Sequence, residues 1–110
     1  MTTIKCHYKD SHIQSVLIKG HVEYSNTEYD MVCASISAIS QTALLGLKNV
    51  VKVDPKYKIA EGYLKIELSD LDNDKRKQAS LILDTMMEGL RDIAKGYSSY
   101  IKLEEEGNVY

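Results

Sequence analysis

A histidine at the end of a predicted strand and a cysteine at the start of a predicted helix are the side chains here with the most chemistry to offer. They are His21, in Gly20-His21-Val22-Glu23-Tyr24, and Cys33, in Asp30-Met31-Val32-Cys33-Ala34-Ser35-Ile36-Ser37. A thiolate attacks carbonyl carbon readily, and an imidazole can take the thiol's proton. Twelve positions separate the two, and the polar loop between them can bring imidazole to thiol. Cys33 is expected in the first turn of its helix, around the third helical position. Unpaired N–H groups and the positive end of the dipole there favour a thiolate and could hold the oxyanion of an attacked amide. The plain alternative is that Cys33 is a buried small apolar residue, as most free cysteines are. The helix-start position and the nearby histidine leave both readings open.

The neighbours divide in the same way. Asp30 is a good N-cap, and polarising His21 is its lesser possible role. Its charge beside Cys33 would oppose thiolate formation. Ser37 lies one turn after Cys33 on the same helical face, where it could bond the thiol or a substrate, or be a plain helix serine. Cys6 lies between Ile4 and Tyr8 on an alternating strand and is expected in the core. His7 and His12 are expected at the surface. Only His21 and Cys33 converge, and zinc needs four ligands or three plus water, so no metal and no cofactor are expected.

These residues need a scaffold. The chain has 110 residues, enough for one domain spanning 1–110. It is 44% hydrophobic and 27% charged, an ordinary globular composition. A net charge of −2 gives no general attraction to nucleic acid. No apolar run is read as approaching the ~20 residues of a membrane helix. The start shows no signal-peptide pattern, so a reduced cytoplasm is expected, with both cysteines free.

Ile4, Cys6 and Tyr8 alternate with Thr3, Lys5 and His7, which predicts a half-buried strand. Ile13 to Lys19 predicts its hairpin partner. A polar loop follows over 21–29. Val32, Ile36, Ile39, Ala43, Leu47 and Val50 then recur at helical spacing, predicting a helix from Asp30 to Asn49. Alternation returns at Val51, Val53, Tyr57 and Ile59, and Pro55 suggests an edge strand or a bulge at its start. Glu61-Gly62 marks a turn into Leu64, Ile66 and Leu68, a second hairpin. Asp70 or Asp72 can cap a second helix, whose buried face reads Ala79, Leu83, Met86, Leu90, Ile93 and Tyr97. Tyr100 to Leu103 is a candidate short strand, and Glu104-Glu105-Glu106-Gly107 reads as a solvated tail. The expected fold is α+β, in the order β-β-α-β-β-α. Two helices lie on one face of a four-stranded, mainly antiparallel sheet.

At Gly20-His21 and Asp30-Met31-Val32-Cys33-Ala34-Ser35-Ile36-Ser37-Ala38 the chain resembles the ribosomal-processing cysteine protease family. Glu61-Gly62-Tyr63-Leu64 and the segment from Leu90 to Ile101 look like the family too. The resemblance implies a cysteine endopeptidase with a His21–Cys33 dyad. Its substrate would be the precursor of large ribosomal subunit protein 27, which loses an N-terminal extension. It also implies a homodimer and a His-to-Cys loop that orders on substrate. The N–H groups of Cys33 and Ala34 would hold the oxyanion. Val22, Glu23, Tyr24 and Tyr29 would belong to a substrate-gripping lid. The sequence departs from the family's pattern at Val22, Glu23 and Ser35, which bears on the substrate contacts. The alternative is a non-catalytic, ribosome-associated protein-binding module. Neither reading calls for direct binding of nucleic acid or membrane.

Overall fold

Alternation decides the first elements. In β1 (Thr2–Lys9) every second residue from Thr2 to Cys6 is buried, and β2 (His12–Gly20) buries Ile13, Val16 and Ile18. Asp10 and Ser11 join them with φ of 52° and 68°. Two left-handed residues in succession match a type I′ turn, whose twist suits a tight hairpin. The computed structural model describes residues 1–20 and 27–107. The expected placements of His21, Val22, Glu23 and Tyr24 lie outside these.

Helix α1 (Thr27–Gly46) runs into a π-helical turn, Leu47–Val51. Val32, Ile36, Ala43, Leu44 and Leu47 enter the core. The stripe expected to end at Val50 ends at Val51 instead: Val50 is 75% exposed and Val51 3%. The wider π turn accounts for this, because it adds a residue to the turn and advances the buried face by one. Over Thr27–Val51 the segment is long and apolar enough to cross a membrane by length and composition, contrary to expectation. In this fold its apolar stripe packs against the sheet and the second helix.

Strands β3 (Lys56–Ala60) and β4 (Tyr63–Glu67) form the second hairpin, with Pro55 just before β3; the alternation expected from Val51 and Val53 starts later, because Val51 closes the π turn and Val53 precedes the strand. Helix α2 (Asn73–Gly96) starts at Asp72, whose carboxylate accepts the Lys75 N–H at 2.9 Å. It buries Ala79, Leu83, Met86, Met87 and Leu90. Tyr97, expected on that face, falls beyond the helix end and is 43% exposed.

The candidate strand at Tyr100 to Leu103 is present and longer than expected: β5 (Ile101–Gly107) takes in the expected tail and runs parallel to β1. The sheet order is β3-β4-β2-β1-β5, with the other three pairings antiparallel. The α+β class stands, with five strands in place of four among the described residues. Charge disguised the second half of β5, Glu104 to Gly107. Its glutamates sit on an edge strand whose backbone is paired by β1, and the side chains find cations: Glu105 meets Arg91 at 2.6 Å and Glu104 meets Lys102 at 3.1 Å. Both helices share one core with the inner residues of the sheet, Ile4, Cys6, Val16, Ile18, Leu64 and Ile66 among them.

Candidate active site

Helix α1 begins earlier than the cap at Asp30 suggested. Thr27, Glu28 and Tyr29 are helical, so Asp30 lies in the first turn and does not cap it, and Cys33 is the seventh helical residue. Burial drives the extension. Tyr29 is 1% exposed; its hydroxyl meets Thr2 Oγ1 at 3.0 Å and its ring packs 5.7 Å from that of Tyr100. Tyr29 is therefore an anchor of the helix start and lies within α1, not in the loop expected over 21–29. Glu28 and Asp30 add negative charge where the helix dipole favours it. The amides of Cys33 and Ala34 now fall inside the helical ladder, opposite the carbonyls of Tyr29 and Asp30. In this conformation they are not the unpaired donors expected of a first turn.

Cys33 is half-buried, and its sulfur lies 3.3 Å from Thr2 Oγ1. Thr2 is itself 2% exposed. Tyr29 Oη, Thr2 Oγ1 and Cys33 Sγ thus form a chain of hydrogen-bonding groups. A thiolate can only accept. When the sulfur is charged, Thr2 must donate to it and Tyr29 must donate to Thr2.

The second wall comes from the β3–β4 turn. Gly62 has a φ of +66°, and its carbonyl accepts the Gly20 N–H at 2.9 Å. A Cβ on Gly62 would stand 2.7 Å from the Gly20 carbonyl oxygen. A Cβ on Gly20 would stand 3.1 Å from Thr2 Oγ1 and 3.5 Å from Tyr29 Oη. Two glycines therefore let the end of β2 sit between the turn and the polar chain that reaches Cys33.

A cleft of about 280 Å³ opens here. Thr2, Gly20, Cys33 and Ser37 line it together with residues of the β3–β4 hairpin, Ile59 and Leu64 among them. Ala34 also lines it. Ser37 Oγ accepts from Gln41 Nε2 at 2.8 Å, and buried Ser40 donates to the Ile36 carbonyl at 2.7 Å. The small residues leave room for an extended peptide backbone beside the sulfur.

The other thiol is set apart. Cys6 is 0% exposed, and burial pushes its pKa up to about 11. It stays protonated and inert near neutral pH. His12 is tied to α2, its Nδ1 lying 3.0 Å from Ser80 Oγ. Among the described residues no three His, Cys, Asp or Glu side chains group as a metal would require.

Of the residues lining the cleft, the sequence marks Cys33, Ala34 and Ser37 as candidates, but neither Thr2 nor the β3–β4 hairpin. Strand alternation marks Thr2 as inward-facing. Which helical residue it would meet depends on where α1 begins.

The family model for cysteine protease Prp matches residues 1–102. The ribosomal processing cysteine protease Prp of Staphylococcus aureus is 33% identical over 94 residues, covering 83% of this chain and 85% of that one. The fold matches the crystal structure of an essential ribosomal processing protease Prp from S. aureus in complex with a substrate peptide. The TM-score is 0.84 at 24% identity, over 96% of this chain and 100% of that one. That protease with a covalently linked product peptide gives 0.82 at 27%, with the same coverage.

Proposed function

The chain belongs to the cysteine protease Prp family, a family of peptide-bond hydrolases, and we propose that Cys33 and His21 are its catalytic dyad. The proposed substrate is the precursor of large ribosomal subunit protein 27, cut to release its N-terminal extension. One observation carries the assignment of the nucleophile. The Cys33 sulfur faces a cleft, 3.3 Å from a buried hydroxyl, while the only other cysteine is sealed in the core. Gly20, covalently bonded to His21, lines the same cleft. The S. aureus relative with a covalently linked product peptide supports covalent catalysis here.

His21 takes the Cys33 proton, and Sγ attacks the scissile carbonyl carbon. Thr2, backed by Tyr29, donates a hydrogen bond to the charged sulfur before attack. The tetrahedral adduct collapses, the C–N bond breaks, and His21 protonates the leaving amine. Water, giving its proton to His21, then attacks the thioester and restores the thiol. Ser37, on the cleft wall, bonds the peptide backbone. Val22, Glu23 and Tyr24 serve as the lid. The same reading places a homodimer in the cytoplasm, where ribosomes are assembled.

The test is cleavage of a peptide spanning the extension junction of the host's ribosomal protein 27, followed by mass spectrometry. A single cut, lost in Cys33→Ala and in His21→Ala with the fold intact, is the expected result. Full activity in either variant would overturn the dyad, and no cut by the wild-type protein would overturn the substrate.

A further inference from the structure

The net charge of −2 is an average over two unlike surfaces. With Ile4, Val16, Leu64 and Ile66 turned to the core, their strand neighbours point out from the other face of the sheet. Cross-strand register aligns them in rows. One row reads Lys58, Lys65, Leu17, Lys5 and Glu104 across all five strands. Flanking rows add Lys19, Lys56 and Lys102, against Glu67 and Glu106. Six lysines thus face three glutamates, on a chain whose acidic residues outnumber its basic ones.

The lysines are not neutralised alike. Glu104 holds Lys5 at 3.8 Å and Lys102 at 3.1 Å. Among the described residues no carboxylate pairs with Lys19, Lys56, Lys58 or Lys65. Lys58 and Lys65 are direct cross-strand partners, and like charges placed opposite destabilise a sheet. Protection of a sheet edge explains lysines on β3. It does not explain Lys65 on β4, Lys19 on β2 or Lys5 on β1, which are interior strands. Among these charges lies one aromatic ring: Lys19 Nζ and Lys58 Nζ stand 5.9 Å and 5.8 Å from the centroid of Tyr63.

We propose that this outer sheet face binds single-stranded RNA, with the lysines on phosphates and Tyr63 as a stacking platform. Unpaired ammonium groups supply the sequence-independent attraction to a polyanion. A half-exposed ring between them gives a base a surface to stack on, which an acidic peptide would not need. The choice of RNA among polynucleotides rests on the ribosomal reading above. A second copy of this chain is a poor occupant, since two such faces repel. The surface would hold the protease on ribosomal RNA while the cleft works on a protein tail.

Fluorescence anisotropy of a labelled single-stranded RNA of mixed sequence, read across a salt series, tests this. Four phosphates neutralised predict a log–log salt slope of about −3. Lys58→Gln with Lys65→Gln should reduce the slope by ~1.5 and weaken binding ~10-fold or more at low salt. Cleavage of the free peptide should be unchanged in that variant, which separates this face from the dyad. The proposal is overturned if RNA does not bind at low salt, if the double variant binds as well, or if polyglutamate of matched charge binds as tightly.

Discussion

Two cysteines in one small chain have opposite environments, and the difference sets what each can do. Cys6 was readable from alternation alone, because Ile4, Cys6 and Tyr8 share a strand face. Its thiol is held near 11 by burial, against an ordinary 9.0. Between those values the unfolded chain releases a proton that the folded chain keeps. Stability therefore falls as pH rises through that window. Tyr8, raised by burial and by its bond to Glu105, acts in the same alkaline direction. Denaturant unfolding at about pH 8 and about pH 10 should show this loss, and Cys6→Ala should show less of it. That variant should also lose ~1–2 kcal/mol of stability at neutral pH while keeping its turnover; lost turnover in a well-folded protein would mark Cys6 as the working thiol. Cys33 was readable as a candidate, but its polar partner was not. Thr2 lies 31 positions away, and nothing local links them. Thr2→Val should slow alkylation of Cys33 and lower kcat by ~10-fold, the worth of one hydrogen bond to a developing charge. Thr2→Ser should restore both. A Thr2→Val protein as reactive as wild type would reduce the contact to packing.

The elements show where local rules stop. Asp30 satisfies every local criterion for an N-cap, yet α1 starts at least three residues earlier. Placing the Tyr29 ring in the core outweighs a cap worth ~1 kcal/mol. A similar tertiary effect displaces the buried face from Val50 to Val51 at the π turn. By contrast, Glu61-Gly62 was readable as a turn, and its detailed role follows from contact with β2. At Gly62 a side chain meets two obstacles, a left-handed backbone and the Gly20 carbonyl. Gly62→Ala should therefore cost ~1–2 kcal/mol. It should also push the end of β2 away from Thr2, so kcat on the peptide should fall more than KM changes. Moving the glycine's burden elsewhere tests this: Gly96→Ala, where a Cβ meets nothing within 4 Å, should leave kcat unaltered. Equal kcat in wild type and a folded Gly62→Ala would separate the turn from the chemistry.

At the scale of the whole molecule, the last described strand decides how one edge of the sheet is built. A run of three glutamates ending in glycine carries no apolar alternation, so a strand there cannot be read from pattern. What holds β5 is backbone pairing to β1 and a polar clamp across three elements. Arg91 of α2 reaches Glu105 of β5 through Nη2 at 2.6 Å and Nε at 3.2 Å, and Tyr8 of β1 donates to the same carboxylate at 2.6 Å. The Arg91 guanidinium, bonded to Glu105, holds that carboxyl below its ordinary 4.5. A depressed carboxylate stabilises the fold above its ordinary value, and the contribution is lost as pH falls through the folded one. Solvent reaches this pair, so its contribution is on the order of 1 kcal/mol. Glu105→Gln should lower Tm by ~4–8 °C at neutral pH and should flatten the acid limb of a Tm–pH profile below about pH 4.5. Since β1 carries Thr2, loosening β5 should also be felt at the cleft. Thr2 pairs with Ile101 in the register, and its amide donates to the Tyr100 carbonyl at 2.8 Å. Faster amide exchange at Thr2 in the Glu105→Gln protein is the expected sign of that coupling. Unchanged exchange with a lowered Tm would confine the clamp to stability.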